Sequence, residues 1–461
     1  MNSGDVDFSK QLPTIERIQV YGIRWIVLGI FVFYSAVNAM QWIQFSIIND
    51  VVVKYYGISS MWVDWTSIIY MVLYVPFVFP ASYLLEKLGL RKFVIIGMLL
   101  TCIGSWIKVG AVHPDRFYIA FIGQTVAGFA QIFILSVPAR LAAVWFGPSQ
   151  VSSACSIGVF GNQLGVALGF LLPPIFVSAD STIDQMTHDF YVMFISVGAF
   201  TTLLLVIIIL FFKDKPPTPP SHAALQQESE TIDFMNSLKD LCKNKSFVFL
   251  LVAYGINVGV FYAISTLLNQ IVLLYYPGAS ADAGRIGLVI VVAGMLGSVC
   301  CGIILDKYHK FKETTLVVYG FSLVGMVIFT FTISKGIYVV YIISGLLGFF
   351  MTGLLPVGFE LAAELTYPAP EGTSAGLLNC ACNLFGIAFT NIYSIILNHV
   401  GDQWANISTS IALVLGTILI ACTRSDLRRQ AAHSEKNDEF SNERQRLLIN
   451  QSEDINYTEE I

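Results

Sequence analysis

Apolar runs long enough to cross a bilayer alternate along this chain with short polar connections. They fall at roughly 25–50, 64–86, 93–112, 117–139, 150–178 and 190–212, and again at 247–275, 284–305, 314–333, 337–359, 372–398 and 405–422. The pattern predicts an all-α polytopic membrane protein with twelve transmembrane helices in two sets of six, 25–212 and 247–422. The interval 213–246 holds Pro216, Pro217, Pro219 and Pro220, a Gln/Glu/Ser run and a short amphipathic piece near 231–243. It reads as a cytoplasmic linker, with polar tails at 1–24 and 423–461.

The two sets repeat each other. Ala81–Lys92, ASYLLEKLGLRK, matches Cys301–Lys312, CGIILDKYHKFK, at an offset of 220. Arg140-Leu141-Ala142-Ala143 matches Glu360-Leu361-Ala362-Ala363 at the same offset. Ser153-Ala154, Asn162 and Gly165 match Ser374-Ala375, Asn383 and Gly386 at 221. Three matches within one residue of the same offset, each at an equivalent helix boundary, mark a duplicated six-helix unit.

Composition agrees: 55% of the 461 residues are hydrophobic and 12% charged, more apolar surface than a soluble fold of this size can bury. All but five of the 26 basic residues fall on one side if both termini are cytoplasmic; the five are Lys54, Lys108, Arg116, Arg285 and Lys335, at outer ends. The positive-inside rule therefore sets both termini in the cytoplasm. The first twenty residues carry no cleavable-leader pattern. Seven of the eight cysteines lie in apolar spans and none forms a C-x-x-C pair, so neither disulfides nor a metal site is expected. A nucleophile–base arrangement and a phosphate loop are also missing from the pattern. The expectation is a non-enzyme with no cofactor and no nucleic-acid partner.

The polar positions inside the spans carry the candidate chemistry. In Asn38-Ala39-Met40-Gln41-Trp42-Ile43-Gln44-Phe45-Ser46 a Trp sits deep in the first span among amides, away from the headgroup level that Trp prefers. Such groups face either neighbouring helices, as interhelical hydrogen bonds, or a water-filled path; both readings are open. Gln131 in the fourth span, Asn162 and Gln163 in the fifth, and Asn379 and Asn383 in the eleventh pose the same choice. Gln131 stands out, because its repeat partner is Met351. Asp50, Asp64, Glu86, Asp306, Glu360 and Glu364 all fall near helix ends, so a proton-coupled carrier's mid-membrane carboxylate is missing. Facilitated, uncoupled transport is the expectation, with sodium coupling through carbonyls and hydroxyls the other open route.

The loops after the second and eighth spans, Glu86-Lys87…Arg91-Lys92 and Asp306-Lys307…Lys310…Lys312, resemble the G-x-L-x-D-x-x-G-R-K/R loop of the major facilitator superfamily. The first copy departs from it, with Ala81 for Gly and Glu86 for Asp. The resemblance implies that superfamily's fold, two pseudo-symmetric six-helix bundles around a central cavity moving by rocker-switch alternating access. In that fold the first and seventh helices face each other. Trp42 shifted by 220 is Tyr262, so two aromatic faces would flank the cavity, a setting that attracts ammonium groups by cation–π interaction. Asp64 and Arg285, related by 221, become candidate outer gate partners. Arg140 and Glu360, with the loop residues Glu86, Arg91, Asp306 and Lys310, become candidate inner locks.

The segments NAMQWIQFSIIND, VDWTSIIYMVLYVPFVFPASYLLEKLGLRK, GVFYAISTLLNQ and AAELTYPAPEGTSAGLLN, with the long run from Gly123 to Pro174, closely resemble the feline leukaemia virus subgroup C receptor family of choline and haem transporters. The resemblance spans all twelve helices. It implies facilitated diffusion of choline, and in some members ethanolamine. It also implies an ammonium cage at Trp42 and Tyr262, a contact from Gln131, and a helix-eleven Gln that is Asn383 here, one methylene shorter. Haem transport is the alternative. It has less behind it, since His113, His188, His222, His309, His399 and His433 all fall in loops or tails, out of reach of a mid-membrane iron. The expected protein is a monomer in the lipid bilayer of the plasma membrane. The tail pattern Glu443-Arg444-Gln445-Arg446-Leu447-Leu448 fits an acidic dileucine motif read by clathrin adaptors, which points alternatively to endosomal or lysosomal membranes.

Overall fold

The computed structural model describes residues 19–147, 150–220, 234–308, 310–367, 369, 371–425 and 428. Glu443, Leu447 and Leu448 lie outside the described residues, as does the side chain of Asp306. Twelve helices among the described residues are long and apolar enough to cross a membrane. The chain divides into two compact units, 1–232 and 233–461.

In the first unit the spans are α1 (Ile23–Ile43) continuing through a 3-10 turn (Ser46–Ile48) into α2 (Asn49–Tyr56), then α3 (Ser60–Leu88) and α4 (Leu90–Val109). A fourth span follows in three pieces, α5 (Phe117–Ala130), α6 (Ile132–Leu135) and α7 (Val137–Trp145), before α8 (Val151–Phe176) and α9 (Ile183–Phe211). The second unit opens with the amphipathic α10 (Phe234–Lys243), followed by α11 (Lys245–Tyr275), α12 (Ser280–Tyr308) and α13 (Phe311–Thr332). It ends with α14 (Ile337–Thr366), α15 (Glu371–His399) and α16 (Asp402–Cys422).

Local chemistry sets the ends. Thr182 and Asn244, both extended, accept the main-chain N–H of Gln185 and Phe247 and so cap α9 and α11. Gly89 turns the chain between α3 and α4 at φ +79, a conformation in which a Cβ is strained. Pro138 stands at the start of α7; it lacks an N–H and its ring crowds the carbonyl one turn back, which accounts for the break after Leu135. No proline or glycine occupies Gln131, Gln44 or Phe45, the other points where spans of the first unit break.

Each unit's core rests on close helix crossings. Gly161, Gly165 and Gly169, four apart on one face of α8, let α1 approach backbone to backbone: a Cβ on Gly165 would stand 2.6 Å from the Ala36 Cα. In the second unit Gly255 of α11 packs against the ring of Phe385 on α15, and Gly259 against the backbone of Phe385 and Gly386. The duplication is visible in tyrosines. Tyr34 donates to the Phe133 carbonyl at 3.5 Å, and its repeat partner Tyr254 donates to the Leu355 carbonyl at 3.3 Å.

Two boundaries differ from the sequence expectation. The third helix opens at Ser60, so Asp64 lies a turn inside α3 and is 1% exposed. Lys108, placed by sequence among the outer-end charges, occupies the last turn of α4 but turns inward and is buried. A four-carbon stem lets a terminal lysine reach either way, which charge counting along the chain does not capture.

Candidate functional site

The polar stretch of α1 separates into two kinds of residue. Asn38 is interhelical glue: its Nδ2 donates to Thr101 Oγ1 at 3.2 Å and to the Ala127 carbonyl at 2.9 Å, tying α1 to α4 and α5. Gln41 does the same. Its Oε1 accepts from Ser105 Oγ at 3.2 Å and Lys108 Nζ at 3.0 Å, and its main-chain carbonyl accepts from Gln124 Nε2 at 2.7 Å. Trp42 is held differently. It is 6% exposed, and its indole Nε1 donates to the Ser67 carbonyl of α3 at 3.2 Å. That bond satisfies the ring's one polar atom.

Gln131 sits at the break between α5 and α6, and its Oε1 is buried with no hydrogen-bond partner. Gln163 Oε1, on α8, is in the same condition. A buried acceptor left unmatched costs about 1–3 kcal/mol; Asn38 Oδ1 and Gln124 Oε1 are unmatched too, but their amide nitrogens bond to neighbouring helices, so Gln131 and Gln163 are the candidates for ligand contact. Asn162, next to Gln163, is half-buried.

In the second unit Tyr262 is half-buried midway along α11, its ring centroid 6.3 Å from that of Phe261. Asn383 on α15 is 4% exposed, and its Nδ2 donates to the Asn379 carbonyl at 2.8 Å, one turn back on the same helix. The short side chain thus spends one of its two amide N–H groups locally, and Oδ1 is the acceptor it can offer outward. Asn379 is half-buried.

Among the candidate gate residues, Arg91 has clear partners within its own unit. Its main-chain N–H donates to Asp214 Oδ1 at 2.9 Å and its Nη2 to the Ile209 carbonyl at 2.8 Å. Asp214 therefore serves as a remote cap for α4, placing a carboxylate at the positive end of that helix, and the loop after α3 is fastened to the end of α9. A Cβ on Gly89 would come within 2.7 Å of the Asp214 carboxylate, so this close approach requires glycine. In sequence Asp214 falls in the linker interval 213–246, and its position just past an apolar run is the one local signal of this role. Glu86 and Lys310 are exposed, and Arg140 and Glu360 are half-buried. Arg285 Nη1 lies 3.5 Å from Asp282 Oδ1, an exposed pair on one helix turn.

Among the described residues no group of three His, Cys, Asp or Glu is placed to hold a metal. A cavity of 310 Å³ opens between α1, α8 and α9, lined by Met40, Leu168, Pro173 and Phe200. Gln44 and Ser196 are its polar side chains, so it is not built for an ammonium ion.

A duplicated twelve-helix fold with buried amides unmatched inside it defines a secondary transporter, and the Major Facilitator Superfamily profile matches residues 26–391, so the chain is a member of that superfamily. Within it the chain belongs to the feline leukaemia virus subgroup C receptor family. It is 47% identical over 435 residues to the zebrafish (Danio rerio) choline/ethanolamine transporter flvcr2b, covering 94% of this chain and 90% of the relative. It is 47% identical to human (Homo sapiens) choline/ethanolamine transporter FLVCR2 over 91% of this chain and 80% of the relative. An uncharacterized MFS-type transporter of Caenorhabditis elegans is 50% identical over 91% of this chain and 72% of the relative. Among solved structures, an inward-facing bacterial homologue of the lysosomal transporter Spinster superposes with a TM-score of 0.68 at 12% identity, covering 87% and 97% of the two chains. The E. coli fucose:proton symporter FucP gives 0.61 at 16%, covering 88% and 100%. These two speak for the fold alone.

Proposed function

We propose that this transporter carries choline and ethanolamine by facilitated diffusion through alternating access, with Trp42 and Tyr262 as its cation–π groups. The observation that carries the reading is the Trp42 indole, buried at depth and pinned by its N–H to the Ser67 carbonyl, in a chain 47% identical to relatives named for this substrate pair. A quaternary ammonium donates no hydrogen bond, so aromatic faces are its natural partners; each desolvated contact contributes about 2 kcal/mol. Gln131 and Gln163, with acceptors free, and Asn383 Oδ1 suit the substrate hydroxyl. Asn162 and Asn379 are further lining candidates. Asp64 and Arg285 are the proposed outer gate, tested by uptake and by outer cysteine-probe accessibility in Asp64→Asn. Arg140, Glu360, Asp306 and Lys310 are proposed for the inner side.

Haem, the alternative, draws less support: the relatives' names do not include it, and the described His113 and His188 are exposed, each facing an aspartate. The proposed location is the plasma membrane, with adaptor-driven endosomal or lysosomal routing through Leu447 and Leu448 as the competing outcome. The test is radiolabelled choline uptake by cells expressing the wild type, Trp42→Ala and Tyr262→Ala, with surface protein measured. Saturable uptake lost in both variants at normal surface levels is the expected result. Wild-type uptake at background with protein on the surface removes the choline reading.

A further inference from the structure

The first unit contains a buried lysine whose repeat position is Ile328. Lys108 is 1% exposed, with Nζ 3.0 Å from Gln41 Oε1, 3.5 Å from Gln44 Oε1 and 5.5 Å from the centre of the Phe45 ring. Among the described residues it has no carboxylate within ion-pair distance. Burying an ammonium without a counter-ion is costly, so its surroundings matter. Two amide oxygens and an aromatic face take the place of the lost water. The C-terminal end of α1, where the helix dipole is negative, lies beside them.

All three contacts fall on one place. Gln41 is in the last turn of α1, and Gln44 and Phe45 form the break that follows. Trp42 stands between them. Neither proline nor glycine explains that break. The repeat acts as an internal control: at an offset of 220, Gln41, Gln44, Phe45 and Lys108 become Phe261, Ile264, Ser265 and Ile328. There α11 runs unbroken through 31 residues. Where the lysine and its amides are present the helix breaks; where they are replaced it does not.

We propose that Lys108 is a positioning residue for the substrate site. Its ammonium clamps the break after α1 and so sets the orientation in which Trp42 offers its ring to a substrate ammonium. The inference rests on the reading of Trp42 given under Proposed function. Lys108 acts through Gln41, Gln44 and Phe45, and it does not need to touch the substrate.

The experiment is ligand-dependent thermal stabilisation of the purified full chain by choline and by 3,3-dimethylbutan-1-ol, its neutral isostere. The ratio of the two dissociation constants isolates recognition of charge. Loss of a desolvated cation–π contact corresponds to about a thirtyfold fall in that ratio, expected in Trp42→Ala and again in Lys108→Met. Lys108→Arg, which keeps the charge, is expected to hold the ratio within about threefold of wild type. A merely structural defect weakens both ligands alike and leaves the ratio unchanged, so Lys108→Met at the wild-type ratio overturns the proposal. If Lys108→Met cannot be purified, Gln44→Leu carries the test: a lowered ratio supports the clamp, and a wild-type ratio overturns it. Trp42→Ala at the wild-type ratio removes the underlying site reading and this proposal with it. Trp42→Ala lowered with Lys108→Met unchanged removes the proposal alone.

Discussion

Gly165→Ala tests the packing that carries Trp42. Gly161, Gly165 and Gly169 line the face of α8 against which α1 lies. A Cβ at position 165 would stand 2.6 Å from the Ala36 Cα and nearer still to its carbonyl oxygen, whereas ordinary contact begins at 3.4 Å. The obstacle is backbone on both sides, so no side chain can swing aside. Relief requires α1 to withdraw by about 1 Å, a gap at which dispersion across the contact loses roughly a quarter to a half of its value. Overpacking of this kind costs about 1–3 kcal/mol. For a unit of this size each 1 kcal/mol corresponds to about 2–4 °C, which gives an expected fall in melting temperature of roughly 2–12 °C. The assay is size-exclusion thermal melting of the detergent-solubilised protein. The matched control is Gly376→Ala, where a Cβ meets no atom within 4 Å and the melting temperature should stay within about 1 °C. Because the withdrawn helix carries Trp42, the apparent affinity for choline should fall as well. Equal melting temperatures for Gly165→Ala and Gly376→Ala would refute the packing argument.

Four further outcomes follow from single contacts. Asp214→Ala removes the remote cap of α4 and should lower the melting temperature by about 2–4 °C, a cap of this kind contributing about 1 kcal/mol; Asp214→Asn, which keeps an acceptor, should recover part of that in the same melt. Tyr319→Phe deletes the bond from Tyr319 Oη to the Ala253 carbonyl, 2.7 Å in a fully buried setting, and should cost about 1 kcal/mol, read in the same way. Gln131→Leu removes a buried, unmatched oxygen; the melting temperature should hold or rise while choline uptake falls, and a fall in both would mean that Gln131 is structural. Asn383→Gln frees the side chain from its bond to the Asn379 carbonyl and should shift the choline-to-ethanolamine preference by about two- to tenfold, the range of one hydrogen bond, measured by competitive uptake.

What could be read from sequence was whatever depends on periodicity and on comparison of the chain with itself. Twelve apolar runs mark the spans, and the 220-residue offset pairs Trp42 with Tyr262. Contacts between helices distant in the chain were not legible. Asp214 looked like one more linker charge, because nothing local says that its carboxylate meets the Arg91 main-chain N–H across more than a hundred residues. Lys108 looked like a boundary lysine for the same reason. The polar stretch of α1 looked uniform in sequence, yet the Asn38 and Gln41 side chains bond to neighbouring helices while the Trp42 indole N–H bonds to the Ser67 carbonyl of α3.

The departures from the repeat carry the most information. A duplicated unit starts with two equivalent halves, so each difference between them marks a place where one half took on a task the other did not share. The first and fourth spans are broken at Gln44-Phe45 and at Gln131, while their counterparts α11 and α14 are continuous. Both breaks lie beside proposed substrate contacts. A broken helix leaves main-chain and amide groups whose hydrogen bonds are no longer closed within the turn, and it lets a side chain be aimed independently of the helix on either side. The second half keeps an aromatic at the equivalent place, Tyr262, but on an intact helix. The division of labour that follows is an adjustable, polar first half and a stiffer second half. On that basis, substitutions that alter substrate choice should concentrate in 38–46, 105–108 and 128–137, and the same substitutions moved by 220 residues should chiefly alter stability.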